Sequence, residues 1–348
     1  MTDITDRFSV HRPSVRLAPS SSRAGWIAAA TAAALLGAAW LVRRQSRAAE
    51  QRNPPAGRWL EIDRVRLHYL DQGQGDVVVL LHGNGSMTQD FVLSGIFDAL
   101  ARRYRVIAFD RPGFGYSSRP HPRRWSAQAQ AELLTRALQR LEIDQPIIVA
   151  HSWGTLVALA MAQAHGERLR ALVLLSGYYF PSLRVDIPLL SLPAVPLVGT
   201  LLRNTLSPLL SRLLWPAMRR QLFAPAEVSD NFRRWPVGLT VRPAQLRAAA
   251  LDTGWMNTAA ARLAPHYAGI GLPVTLMAGS GDRIVDPRQQ TQRLHQTLPN
   301  SELQMVEGAG HMLHHIAPDQ VMAAIDRAMQ RSRHIAPPVQ HAPSPAAQ

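Results

Sequence analysis

The chain has 348 residues, 47% of them hydrophobic and 18% charged, a balance that excludes a disordered or fibrous protein and suits one large α/β domain or two modest ones. Its net charge of +14 comes from arginine without any lysine, the mark of a GC-rich genome; the arginines stand singly or in pairs, without the basic runs and interleaved aromatics of a nucleic-acid surface. There is no cysteine, which excludes disulfides, thiolate nucleophiles and Cys–zinc sites.

Residues 1–24 are polar, rich in Ser, Arg and Pro, and read as disordered. Gly25 to Val42, GWIAAATAAALLGAAWLV, carries no charge and is bracketed by Arg23 and Arg43-Arg44. A spanning helix needs roughly 17–25 apolar residues, and Trp26 and Trp40 stand where an interfacial belt would hold them. The long polar lead and the arginines directly after the run argue against a cleaved signal peptide. The lack of a polar stripe argues against a soluble amphipathic helix. A single transmembrane helix, 25–42, anchoring the chain in a bacterial inner membrane is therefore expected. Arg7, Arg12, Arg16 and Arg23 precede it and Arg43, Arg44, Arg47, Arg52 and Arg58 follow; this small excess only leans toward a cytoplasmic main domain, so the side of the membrane stays open.

Residues 43–57, with Asn53-Pro54-Pro55, read as a linker. From about residue 58 short apolar runs alternate with helical ones. Strands are expected at 59–62, 65–70, 77–81, 105–109, 147–150, 171–176, 274–278 and 302–306. Helices are expected at 127–141, 155–165, 288–297 and 319–331. That alternation predicts an α/β fold, a mostly parallel eight-stranded sheet with helices on both faces, with a core over 58–177 and 273–331. The unbroken runs VVVLL, PIIVA and ALVLL suit strands buried on both sides. Between 178 and 272 the chain turns Pro-, Leu- and Arg-rich and reads as short helices punctuated by proline. Residues 332–348 read as a disordered tail.

One junction carries chemistry. Pro146 to Ala162, PIIVAHSWGTLVALAMA, passes from a buried strand to a helix through Ala150-His151-Ser152-Trp153-Gly154. A serine hydroxyl is a nucleophile only beside a base and oxyanion donors. A sharp strand–helix turn lifts the side chain clear of the sheet and aims helix amides at the reacting centre. The pattern Gly-x-Ser-x-Gly has Ala150 for its first glycine, which keeps that position small. A serine at an ordinary helix N-cap would look similar. The rest of the chain supplies what a cap would not need: His82-Gly83-Asn84-Gly85 after the strand VVVLL, Gly281-Asp282 after VTLMAG, and Gly310-His311 after ELQMVEGA. Serine, aspartate and histidine thus follow one another at the carboxyl ends of predicted strands, where open α/β sheets bind ligands.

These motifs, with Asp110-Arg111-Pro112-Gly113-Phe114-Gly115-Tyr116-Ser117, make the sequence similar to the α/β-hydrolase superfamily over about residues 60–330. The resemblance implies Ser152 as nucleophile, His311 as general base and then acid, and Asp282 as its orienting carboxylate. It also implies an oxyanion hole from the backbone amides of Asn84 and Trp153, and a helical lid over 178–272, inserted after the sixth strand. Asp286 rivals Asp282, and His314 and His315 rival His311. Asp282 is preferred because it follows its strand directly, and His311 because it sits in a flexible turn. His82 is expected to brace the oxyanion loop, His151 to point away from the nucleophile, and 110–117 to be a structural turn. No cofactor is called for, and no metal, since the 13 histidines show no paired spacing with acidic partners.

Haloalkane dehalogenases and epoxide hydrolases also resemble the chain but carry aspartate at the elbow. Serine favours carboxylic-ester hydrolysis through an acyl-enzyme. C–C bond hydrolysis and cofactor-free perhydrolysis by the same triad, or a non-catalytic binding protein on this scaffold, are the alternatives. Trp215, Trp235 and Trp255 suggest either an apolar pocket wall, and hence a lipophilic ester or acyl substrate, or simple packing of the lid.

Overall fold

The computed structural model describes residues 23–183 and 186–335; of the expected disordered lead, 1–24, residues 1–22 lie outside them and Arg23 and Ala24 are helical, and the tail from residue 336 lies outside them. Eight strands are present: β1 (Arg58–Ile62), β2 (Val65–Gln72), β3 (Val77–Leu81), β4 (Arg105–Phe109), β5 (Ile147–His151), β6 (Ala171–Leu175), β7 (Val274–Gly279) and β8 (Ser301–Val306). They form one sheet in the order β1-β2-β4-β3-β5-β6-β7-β8. β2 pairs antiparallel with β1 and β4, and all other neighbours are parallel.

Helices α1 (Arg23–Arg52), α2 (Gln89–Leu93), α3 (Ile96–Ala101), α4 (Ala127–Arg140) and α5 (Gly154–His165) come before β6. Between β6 and β7 lie α6 (Ile187–Ser191), α7 (Val198–Asn204), α8 (Leu206–Phe223), α9 (Asp230–Arg233), α10 (Val237–Thr240) and α11 (Pro243–Leu263). Then follow α12 (Arg293–Thr297), α13 (Leu313–Ile316) and α14 (Pro318–Ile335). The strands are apolar throughout because each faces two helical layers. In β3, Val79 and Leu81 pack with Leu134 and Leu138 of α4 and Leu156 and Leu159 of α5. Val78 and Leu80, one step out of phase, pack with Phe97 and Leu100 of α3 and Ile325 of α14.

Three expectations are corrected. Residues 43–57 are not a linker throughout, since α1 runs unbroken to Arg52. RRQSRAAEQR holds helix formers and no Gly or Pro, and the breaker is Asn53-Pro54-Pro55, where the Asn53 N–H and side chain both bond to the Ala49 carbonyl. The interval before β7 is not all short helices: α8 has 18 residues and α11 has 21. Pro208 and Pro243 sit in first turns, where a missing N–H costs nothing, and α8 continues through Pro216. The stretch 332–335, expected in the tail, is the last turn of α14.

Helix α1 is the one described helix long and apolar enough to cross a membrane, with mean hydropathy 1.7 in an 18-residue window that is 6% buried. Its C-terminal half packs against α7, α8 and α10. Ala49 lies so close to Gly238 that a Cβ there would meet the Ala49 Cβ at 2.8 Å, and Glu50 pairs with Arg242 of the α10–α11 junction at 2.9 Å.

Candidate active site

Strand β5 ends at His151 and α5 begins at Gly154, so Ser152 and Trp153 make the whole turn. Ser152 has φ +51°, a left-handed conformation that a non-glycine residue holds only where its surroundings impose it. Here the Ser152 N–H donates to the Leu175 carbonyl of β6 at 2.9 Å, and the Ser152 carbonyl accepts from the Thr155 hydroxyl at 2.6 Å. Gly154 is obligatory, because a Cβ would sit 2.7 Å from the Leu81 and His82 carbonyl oxygens. Ala150 lies within β5 and is buried, so its methyl belongs to the core.

The three residues singled out from the sequence meet. The His311 Nε2 lies 3.0 Å from the Ser152 Oγ, and its Nδ1 lies 2.8 Å from the Asp282 Oδ2. Nδ1–H donating to the carboxylate leaves Nε2 free to accept the serine proton. Asp282 is held in turn by the backbone N–H groups of Ile284 and Val285, which donate to its Oδ1 at 2.8 and 3.0 Å. Its rival Asp286 accepts from Arg288 and Gln289 N–H and so caps the next helical segment. His314 and His315 turn to Asp90 instead, at 3.0 and 2.8 Å.

Above the serine lies the turn after β3. A Cβ on Gly83 would be 3.0 Å from the Ser152 Cβ, so this turn passes directly over Ser152. Among the described residues, neither the Asn84 nor the Trp153 backbone N–H has a protein acceptor. The Asn84 side chain points elsewhere, donating to Thr253 Oγ1 at 2.8 Å and the Ala249 carbonyl at 3.1 Å, both on α11. His82 braces the turn: its Nδ1–H donates to the Gly83 carbonyl and its Nε2 accepts from the Arg111 N–H. Burial, reinforced by the Arg111 charge, pushes the His82 pKa down to about 4, so the ring is neutral.

Arg111 has a structural role that sequence reasoning missed. Its fully buried guanidinium donates to the His82 and Gly83 carbonyls at 2.9 and 3.0 Å, to Gln130 Oε1 at 2.9 Å and to Asp252 Oδ2 at 2.8 Å. It lies 4.6 Å from the ring centres of both Phe114 and Trp153. Asp252, on α11, also pairs with Arg119 at 2.9 Å, and its carbonyl accepts from the Trp153 indole N–H. Asp252 is the only acid in α11, and a lone carboxylate in an alanine-rich helix was the available signal.

Behind His311 sits a second cluster. His151 donates from Nε2 to the His311 carbonyl at 3.1 Å, and its ring centre lies 4.5 Å from that of His314. Asp90, His151 and His314 are buried, with potential ligand atoms within 4.8 Å of one another. They could hold a metal ion, a grouping that chain spacing did not disclose because Asp90 comes from α2. Burial first, then the neighbouring charges of His314 and His311, keep the His151 pKa well below its usual value. Trp215 and Trp235 stack with Phe232 in a cluster of the segment between β6 and β7 that reaches Met87 and Met312. A cavity of about 770 Å³ lies elsewhere, between the end of α1, the turn after β4 and the start of α11, and does not include Ser152.

A family model described as the alpha/beta hydrolase fold matches residues 76–318. The chain belongs to the alpha/beta hydrolase fold family. It is a hydrolase of that family. It is 28% identical, over 78% of its length and 94% of the relative's, to haloalkane dehalogenase 2 of Mycobacterium bovis. It is 32% identical to 2-hydroxymuconate semialdehyde hydrolase of Pseudomonas putida, over 76% of this chain and 90% of that one. Among solved structures, one described as a membrane phospholipase A, a bacterial virulence factor, superposes with TM-score 0.62 at 20% identity. It covers 89% of this chain and 97% of its own, a likeness of fold.

Proposed function

We propose that this alpha/beta hydrolase cleaves carboxylic esters of lipophilic acids through an acyl-enzyme on Ser152, at a membrane to which α1 anchors it. The hydrogen-bonded chain Asp282–His311–Ser152, at 2.8 and 3.0 Å, carries the reading. His311 Nε2 takes the Ser152 proton as Oγ attacks the ester carbonyl, while Asp282 steadies the imidazolium. The Asn84 and Trp153 backbone amides, which have no acceptor among the described residues, would receive the oxyanion. Collapse expels the alcohol with the proton from His311; water, deprotonated by the same ring, then releases the acid. In this reading residues 178–272 form the lid.

Serine also argues against halide displacement, whatever the 28%-identical relative does. An alkyl group transferred to serine is an ether with no carbonyl for water to attack, whereas a carboxylate nucleophile would give a hydrolysable ester. C–C hydrolysis stays as a second reading, because the 32%-identical relative is named for a semialdehyde hydrolase and a serine can attack an activated ketone. A fluorophosphonate probe should label the full chain, and Ser152→Ala should lose both the label and at least about 10³-fold in p-nitrophenyl ester turnover without loss of folding. Full turnover in that variant would remove Ser152 from the reaction. Turnover of a vinylogous β-diketone in place of esters would favour the C–C reading.

A further inference from the structure

Helix α8 is amphipathic in the wrong sense for a soluble protein. Leu206, Leu210, Leu213, Leu214 and Met218 recur at the spacing of one helical face, and that face is exposed, with Leu213 at 75% and Leu214 at 55%. Arg212 and Arg219, from the same helix, are partly covered. The preceding turn and α7 extend the apolar surface through Leu197, 86% exposed, with Val198 and Leu201. Such a contiguous apolar area marks a site of contact rather than ordinary surface.

We infer that this face of α7 and α8 seats in the hydrocarbon edge of the bilayer beside α1, so that the lid is itself a membrane-binding element. Continuity with α1 identifies the occupant. Both helices pack on the C-terminal half of α1, and α1 exposes Trp26, Leu36 and Trp40 on its free portion. The 18 residues from Gly25 to Val42 span about 27 Å at 1.5 Å per residue, close to a bilayer's hydrocarbon thickness. The lid meets α1 near the end of that span, where a helix leaves the hydrocarbon. Arg43 and Arg44 are exposed there, and Arg44 lies over the Trp40 ring at 5.5 Å, as suits a boundary with anionic headgroups.

The inference rests on α1 being an anchor, and one experiment separates the two. The chain has no cysteine, so single substitutions give unique labels. Leu36→Cys in α1, Leu197→Cys and Leu213→Cys in the lid, and Arg140→Cys at the far end of α4 are labelled with a nitrobenzoxadiazole dye in full-length protein. Each is reconstituted in vesicles of phosphatidylethanolamine and phosphatidylglycerol. The wild-type side chains at 36, 197, 213 and 140 are all exposed, so folding should survive, and retained fluorophosphonate labelling of each variant checks it. Nitroxide lipids quenching roughly 5–10 Å below the headgroups should lower emission about twofold at 36, 197 and 213, with 140 quenched only by aqueous iodide. Lipid quenching at 36 alone would overturn the lid face and leave the anchor. Quenching at none would overturn both. Shielding of 197 and 213 from iodide that vanishes on diluting protein into excess lipid would assign the face to a second copy of the chain, again overturning the inference. Absence of fluorophosphonate labelling in the wild type would bear on Ser152 alone.

Discussion

Arg111→Met should damage stability and chemistry together. The guanidinium is fully buried and donates to two side chains and two carbonyls. Removing one partner of a buried ion pair costs about 3–5 kcal/mol, because the other charge is left without compensation. Asp252 keeps Arg119 at 2.9 Å, which places the loss near the low end, about 3 kcal/mol. For a chain of 348 residues that lowers Tm by roughly 4 °C. The carbonyls released belong to His82 and Gly83, which fix the turn carrying the Asn84 amide. Fluorophosphonate should therefore react roughly 10–100-fold more slowly, less than the full loss of one oxyanion donor. Asp252→Asn, alone and combined with Arg111→Met, completes a cycle read by urea unfolding in detergent. The pair should couple by about 1–3 kcal/mol. Additive single effects, or an Arg111→Met protein with unchanged Tm and labelling rate, would refute the assignment.

Asp282→Asn should cost about 10⁴-fold in ester turnover by misorienting the His311 tautomer, whereas Asp286→Ala should lose only a helix cap of about 1 kcal/mol and leave turnover intact; steady-state kinetics decides between them. Gly154→Ala drives a Cβ against two backbone carbonyls, so the elbow must shift; a loss of about 1–3 kcal/mol in chemical unfolding, with much reduced labelling of Ser152, is expected. Acidification should destabilise the protein. The unfolded chain takes a proton on His82 as pH falls through 6.5, but the folded chain does not until about 4, so stability drops across that window by up to about 3 kcal/mol. His151, also held neutral, adds in the same direction. Tm measured from pH 7.5 to 5 should fall, His82→Gln should flatten the slope, and a level wild-type profile would count against buried neutral rings.

The parts most legible in the sequence were those where one local pattern has one physical solution. VVVLL has to be a strand covered on both faces, and a serine between PIIVA and a helix has to stand at the sheet's rim. Ser152, Asp282 and His311 each come within five residues of a strand's carboxyl end, so reading the strands located them. What stayed hidden depends on side chains brought together by the tertiary fold. Asp90 is 61 residues from His151 and more than 200 from His314, and Arg111 finds Asp252 only because α11 lies across the turn after β4. The length of α11 was missed because its alanines form no apolar stripe, and that of α8 because proline was expected to end a helix that α8 carries past Pro216. The reach of α1 was missed because 43–52 is charged: its helix is stabilised by propensity and by contact with α7, α8 and α10, neither of which hydropathy reports.

The ties on α11 divide the segment between β6 and β7 into two unlike halves. Asp252 is locked to two arginines, and the Asn84 side-chain NH2 and the Trp153 indole both donate to α11. A hinge that raised α11 would have to strip a buried carboxylate of its counter-charges and dismantle the oxyanion turn before any substrate arrived. Under the proposed function, access to Ser152 would fall to the other part of the segment, α6 to α8. The leucines of α7 and α8 face outward there, so under the proposed reading the entrance and the apolar face of this segment would coincide.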